Sequence, residues 1–229
     1  MPQYYPIMLD IRGRQALVIG GDRIAAEKAA NLAASGAHVT VLSPQLSEEV
    51  QALAQQRRIE MKQKAYERGD LAGAFVVVAT TTYDAALTEA IWQEAQERNQ
   101  LLNIVDVPAR CNFILPSILR RDQLTIAVST EGASPGLAKR IRQQLEKMFP
   151  PAYGVYLRIA AFVRTSIRRQ GLSYERRDEL FGDFYNSKIL HYLTTGNEEQ
   201  ALAETQQLLK AYDVDLPEET LKAELEKAG

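Results

Sequence analysis

One carboxylate and two anion-friendly turns carry the chemistry legible in this chain. Asp106 closes the apolar run Asn103-Ile104-Val105, and open α/β sheets place their ligands just beyond such strand ends. A carboxylate there can take a proton from a bound molecule, or it can simply cap a turn. A second feature, Ser129-Thr130-Glu131-Gly132-Ala133-Ser134-Pro135-Gly136, opens a helix with hydroxyls and flexible backbone. Together with a helix amino terminus, these suit an anion. The third feature is Gly20-Gly21-Asp22-Arg23-Ile24-Ala25, between an apolar strand and a helix. Dinucleotide loops read G-x-G-x-x-G/A: the first glycine makes the turn and the second lets backbone approach the diphosphate. Gly20 and Ala25 fit the outer positions, but Asp22 stands where the middle glycine belongs. Its charge would oppose a phosphate at ~4 Å by ~1 kcal/mol in water, and by more when partly desolvated. Either Arg23 compensates, or the Asp22 side chain turns back and caps the helix. A tight turn with no nucleotide is the plain alternative.

Other positions border the same crevice. The second strand ends in Ser43-Pro44, where NAD sites often carry an acidic residue for the ribose. No basic residue stands beside them to select a 2′-phosphate, so NAD is favoured over NADP. Thr80-Thr81-Thr82 follows the fourth strand and could border the same crevice, although threonines at a strand end are also common without function. The cofactor-binding set is therefore Gly20, Gly21, Asp22, Arg23, Ile24, Ser43, Pro44, Thr80 and Thr81.

These residues need a scaffold, and the hydrophobic pattern supplies one. Strands are expected at 15–19, 38–42, 59–64, 75–79 and 102–105, separated by helices near 24–33, 48–56 and 84–98. Short apolar strands alternating with helices imply a parallel sheet with right-handed crossovers, a Rossmann-like α/β domain over residues 1–113. Residues 114–129 offer one short helix or turn and one strand. A basic helix with Leu137, Ile141, Leu145 and Met148 on one stripe follows, and Pro150-Pro151 ends it. Further helices form a small domain over residues 151–229, whose last dozen residues are charged enough to fray.

The 229 residues are 46% hydrophobic and 24% charged, ordinary for a globular chain with a real core. No apolar run approaches the ~20 residues of a bilayer span, and the stretch up to Pro6 lacks a signal peptide's basic start and apolar core. A cytoplasmic address, with no membrane partner, is the expectation. Cys111 is the single cysteine, and the two histidines, His38 and His191, lie far apart, so no metal ligand is assigned. The net charge of −2 hides an uneven distribution: residues 110–177 hold thirteen Lys and Arg against four Asp and Glu, and residues 178–229 hold four against twelve. The pI near 5.8 speaks against a dedicated nucleic-acid binder.

Taken together, the motifs resemble the precorrin-2 dehydrogenase/sirohydrochlorin ferrochelatase family, including the amino-terminal half of siroheme synthases. The resemblance rests on Pro6-Ile7-Met8-Leu9-Asp10, the loop from Gly20 to Lys28, Gly36 to Val41, Asn103-Ile104-Val105-Asp106, Cys111 to Pro116 and Ser129 to Ala138. Met8 replaces the family's aromatic residue and Asp22 replaces a glycine; the helical tail matches only in character.

The resemblance implies a homodimer with a dimerisation region at 114–150, and NAD-dependent oxidation of precorrin-2 to sirohydrochlorin. Some members also insert Fe²⁺. Asp106 matches the catalytic aspartate. The substrate is a tetrapyrrole rich in carboxylates, which gives the basic middle of the chain a purpose. Arg110, Asn112, Arg120, Thr130, Ser134, Lys139 and Arg140 are its expected binding residues. The competing readings are a chelatase-only homologue with a damaged dinucleotide loop, and a non-enzymatic tetrapyrrole carrier.

Overall fold

The computed structural model describes residues 3–81 and 83–226, in two compact units divided between Leu115 and Pro116. In the first unit the strands are β1 (Gln15–Ile19), β2 (His38–Leu42), β3 (Glu60–Lys62), β4 (Val76–Ala79) and β5 (Leu101–Ile104). They form one sheet, in the order β3-β2-β1-β4-β5, and every pairing is parallel. The alternation of side chains along each strand explains why helices must cover both faces. Ala16, Val18, Val39, Val41, Val76 and Val78 face one way, against Ala25 and Ala29 of α1 (Arg23–Ala34) and Val50 of α2 (Glu48–Gln55). Leu17, Ile19, Leu42, Val77 and Ala79 face the other way, against Ile91 and Ala95 of α3 (Ala85–Glu97).

Each helix begins on a residue that can accept. Asp22, Ser47 and Asp84 take hydrogen bonds from the N–H groups of Ala25, Val50 and Leu87. Such caps contribute about 1 kcal/mol each.

The free edge of β5 is covered by the two residues Cys111-Asn112. The Asn112 side chain accepts from Leu102 N–H at 2.8 Å and donates to the Gln100 carbonyl at 2.7 Å. Its own N–H donates to the Leu102 carbonyl. Cys111 Sγ accepts from Ile104 N–H at 3.1 Å and donates to the Ile104 carbonyl at 3.2 Å. Burial raises the Cys111 thiol pKa above its usual value, which suits this role and not a nucleophilic one.

The second unit opens with an antiparallel hairpin, β6 (Ser117–Arg121) and β7 (Leu124–Val128). The sequence pattern led to a single strand here. The second strand was hidden because its two-residue turn, Asp122-Gln123, lacks the glycine that usually marks a hairpin; Asp122 itself supplies the left-handed conformation, at φ 53°. Among the described residues six helices follow: α4 (Pro135–Met148), α5 (Ala152–Arg169), α6 (Tyr174–Asn186), α7 (Ile189–Thr194), α8 (Glu198–Ala211) and α9 (Glu218–Glu226). Their core holds Tyr156, Ile159, Val163, Leu180, Phe184 and Leu209, with Tyr156 and Phe184 stacked at 4.8 Å. The charged end was expected to fray. Instead, α9 continues to Glu226 and fully buries Leu221 in that core.

Candidate active site

The strand order reverses at β1, whose neighbours β2 and β4 continue in opposite directions along the sheet. A crevice opens beyond the carboxyl ends of strands at such a point. Here it is a cleft of about 340 Å³, bordered by Gly20, Ser43, Pro44, Tyr66, Thr81 and Asp84, at the small end of ligand sites. Ser43, Pro44 and Thr81 were expected there. Thr82 lies outside the described residues.

Tyr66 and Asp84 escaped the sequence reading, although the strand-end rule applied to β3 and the capping rule applied to α3 would have found them. Tyr66 is held from behind. Its hydroxyl donates to Glu94 Oε2 at 2.5 Å, and the same carboxylate accepts from Gly69 N–H at 2.9 Å and Arg98 Nε at 2.8 Å. Burial alone would raise the Glu94 pKa, but these three donors outweigh it and hold the carboxyl below its ordinary value.

The loop after β1 is glycine by necessity. Gly20 takes φ 131°, and a Cβ there would collide with the Thr80 hydroxyl. A Cβ on Gly21 would collide with the Gln45 carbonyl. Both glycines therefore answer to the protein's own packing before any ligand arrives. Asp22 turns back as a cap: its Oδ1 accepts from Ala25 N–H at 2.8 Å and from Thr80 Oγ1 at 3.2 Å. Arg23 does not neutralise it. It lines a separate groove between α1 and α2 with Glu27 and Glu49. The exposed Ile24 follows it, and the N–H groups of Arg23 and Ile24 find no acceptor among the described residues. Two free donors at a helix amino terminus fit a diphosphate, and the cleft beside them fits an attached nucleoside. The backbone and cleft thus suit a dinucleotide, with the Asp22 carboxylate the one discordant group.

Asp106 lies in the turn after β5, next to the β4 end: Val105 N–H donates to the Ala79 carbonyl at 2.9 Å. It is exposed, takes φ 60°, and its carboxylate accepts no hydrogen bond from any described residue. Asp is among the few residues that tolerate this conformation. Arg110 stands on the following 3₁₀ turn (Pro108–Arg110), ion-paired with Glu89 of α3 and lying over the Trp92 ring. Hydrogen bonds from Arg110 and then Gln93 keep the Glu89 carboxyl below its usual range. Arg110 therefore braces the Asp106 turn, and Asn112, with its amide engaged on β5, does the same.

In the second unit much of the basic charge is answered internally. Arg121 donates to backbone carbonyls, including Phe149 at 2.9 Å, Arg142 pairs with Glu146, and Arg158 with Asp122. Arg120, Lys139 and Arg140 are exposed and have no side-chain partner among the described residues. At the start of α4, Thr130 Oγ1 accepts from Ser134 N–H at 3.1 Å and Ser134 Oγ from Leu137 N–H at 3.3 Å. Both hydroxyl protons remain able to donate to an anion.

Among the described residues no cluster of three or more His, Cys, Asp or Glu is placed to hold a metal, and no helix is long and apolar enough to cross a membrane.

Comparison with known proteins bears on this geometry. Residues 7–117 match the family model described as putative NAD(P)-binding, and residues 121–148 match that of the sirohaem biosynthesis protein central region. A siroheme synthase of Nitrosococcus oceani is 37% identical over 199 residues, 87% of this chain and 42% of the relative. One from Methylobacillus flagellatus is 36% identical over 204 residues, 89% of this chain and 44% of the relative. The chain thus spans less than half the length of these curated relatives. Among solved structures, SirC, a precorrin-2 dehydrogenase, superposes with a TM-score of 0.75 at 28% identity, over 92% of this chain and 99% of that one.

Proposed function

The chain belongs to the family that holds the precorrin-2 dehydrogenase SirC and the matching part of the siroheme synthases, and from that premise we propose that it oxidises precorrin-2 to sirohydrochlorin with NAD as acceptor. The observation that carries this reading is the position of Asp106, an exposed carboxylate without a described partner. It stands beyond the same sheet end as the dinucleotide-shaped loop and cleft.

The oxidation removes a hydride and a proton from the reduced macrocycle. NAD, when bound, supplies the hydride acceptor. Gly20, Gly21 and the N–H groups of Arg23 and Ile24 would hold its diphosphate, with Ser43, Pro44, Tyr66 and Thr81 around the adenosine. Asp106 takes the proton as general base, a role typically contributing about 10²–10⁴ in rate. Arg120, Lys139, Arg140 and the Thr130 and Ser134 hydroxyls bind the substrate's carboxylates, where charge-assisted hydrogen bonds are strongest.

The test is anaerobic incubation of the purified chain with precorrin-2 and NAD, following NADH and the sirohydrochlorin spectrum. Stoichiometric formation of both supports the proposal; no NADH under conditions where the substrate is stable sinks it. Asp22 favours one further reading, metal insertion alone. Asp106 would then take the pyrrole N–H protons while Fe²⁺ enters sirohydrochlorin as substrate. Fe²⁺ insertion without NADH formation would select that reading.

A homodimer in the cytoplasm completes the proposal. Residues 114–150 would form its interface, because Ile118 is 41%, Leu137 50% and Met148 65% exposed on the hairpin and α4, an apolar surface that a second copy would cover. Sedimentation equilibrium should give twice the 25.6 kDa chain mass, and Leu137→Asp should shift it to the monomer. A wild-type monomer at micromolar concentration would remove the dimer from the proposal.

A further inference from the structure

We propose that Asp22 is a built-in brake on acceptor binding: its carboxylate, held at the start of α1 by Ala25 N–H and the Thr80 hydroxyl, stands where the acceptor's diphosphate must come. This deepens the dinucleotide reading of the cleft and rests on it.

Three observations converge. The carboxylate uses the Ala25 N–H at 2.8 Å, one of the donors a helix amino terminus offers to an anion. Thr80, which borders the loop from β4, adds a second hydrogen bond to the same oxygen at 3.2 Å, so the carboxylate is held from two sides. Finally, among the described residues no cation forms an ion pair with it, and Arg23 lines the groove that also holds Glu49. The adjoining N–H groups of Arg23 and Ile24 still invite an anion, and the Asp22 charge repels it.

The outcome is a site that accepts a dinucleotide weakly and releases it readily. An asparagine at this position keeps the cap, because its side-chain oxygen can also accept from Ala25 N–H, and it removes only the charge. Asp22→Asn should therefore bind NAD at least about fivefold more tightly than the wild type, the factor set by two unit charges ~4 Å apart in bulk water, where the interaction is weakest. The difference should shrink as salt rises, because exposed charges are screened. Adenosine, which shares the nucleoside and lacks the diphosphate, should bind both proteins alike.

The experiment is titration calorimetry of NAD against wild type and Asp22→Asn at low and high salt. Adenosine is followed in parallel by NMR shifts, and thermal melting verifies that the cap survives. Tighter NAD binding by the variant, lost at high salt and absent for adenosine, supports the brake. Equal or weaker NAD binding by the variant overturns it and leaves the dinucleotide reading standing, as does a parallel gain for adenosine. Failure of both proteins to bind NAD at millimolar concentration overturns the dinucleotide reading, and the brake with it.

Discussion

Asp106→Asn is expected to slow precorrin-2 oxidation by about 10²–10⁴-fold, the range that a positioned general base supplies, without disturbing the fold. The choice of asparagine follows from the backbone. At φ 60° a residue with an ordinary side chain costs roughly 1–2 kcal/mol, and asparagine and aspartate tolerate the conformation best. The Asp106 carboxylate accepts nothing from the described residues, so losing its charge leaves no donor orphaned. Alanine would mix strain with chemistry; asparagine isolates the chemistry. Unchanged melting and NAD binding with lost turnover would identify the base. Activity within about threefold of wild type would mean that Asp106 serves the turn alone, as its conformation also permits.

Glu94→Ala should produce the largest loss of stability. The side chain of Glu94 is 1% exposed and ion-paired with Arg98, and it also accepts from Tyr66 and Gly69. Arg98 is 41% exposed and stays hydrated when its partner is lost, so the cost is that of the hydrogen bonds to the buried carboxylate, about 1.5–3 kcal/mol for a bond to a charged group. Trp92, the single tryptophan, lies on the same helix, so its fluorescence reports unfolding of this unit in urea.

The sign of the pH dependence follows from the lowered carboxyl pKa. Its contribution is fully present above the unfolded value of 4.5 and is lost as pH falls below it, through the folded value. The wild type and variant should therefore converge in acid. A constant gap down to low pH would mean that packing, rather than the ionised carboxylate, holds the loop. Since Tyr66 borders the cleft, the variant should also bind NAD less tightly.

The Rossmann-like unit was legible because burial on both faces demands unbroken β-branched runs, as in Val76-Val77-Val78. Caps and glycines then marked where those runs end. Legibility stopped where a residue's work depends on partners distant in sequence. Asn112 reads as a polar residue free to meet a ligand near Asp106, yet its amide is occupied by Gln100 and Leu102. Arg110 reads as a clamp, yet Glu89, 21 positions earlier, takes its charge. Asp22 could be read either way, and only the approach of Thr80, 58 positions later, resolves it as a cap. The hairpin was half-read because Asp122 adopts a glycine-like conformation that nothing local announces. α9 was misread because a single residue, Leu221, anchors a mostly charged stretch.

The Cys111-Asn112 pair has a consequence for how the molecule keeps company. An exposed strand edge is a template on which another chain can add a strand, the first step of edge-to-edge aggregation. Along β5 the outward backbone groups of Leu102 and Ile104 are already matched by one amide, one main-chain N–H and one thiol, so an incoming strand finds nothing to bind. The opposite edge is β3, three exposed residues long and bearing Glu60 and Lys62, too short and too charged to recruit a partner. The sheet is thus closed to growth on both sides, by side chains at one edge and by brevity at the other.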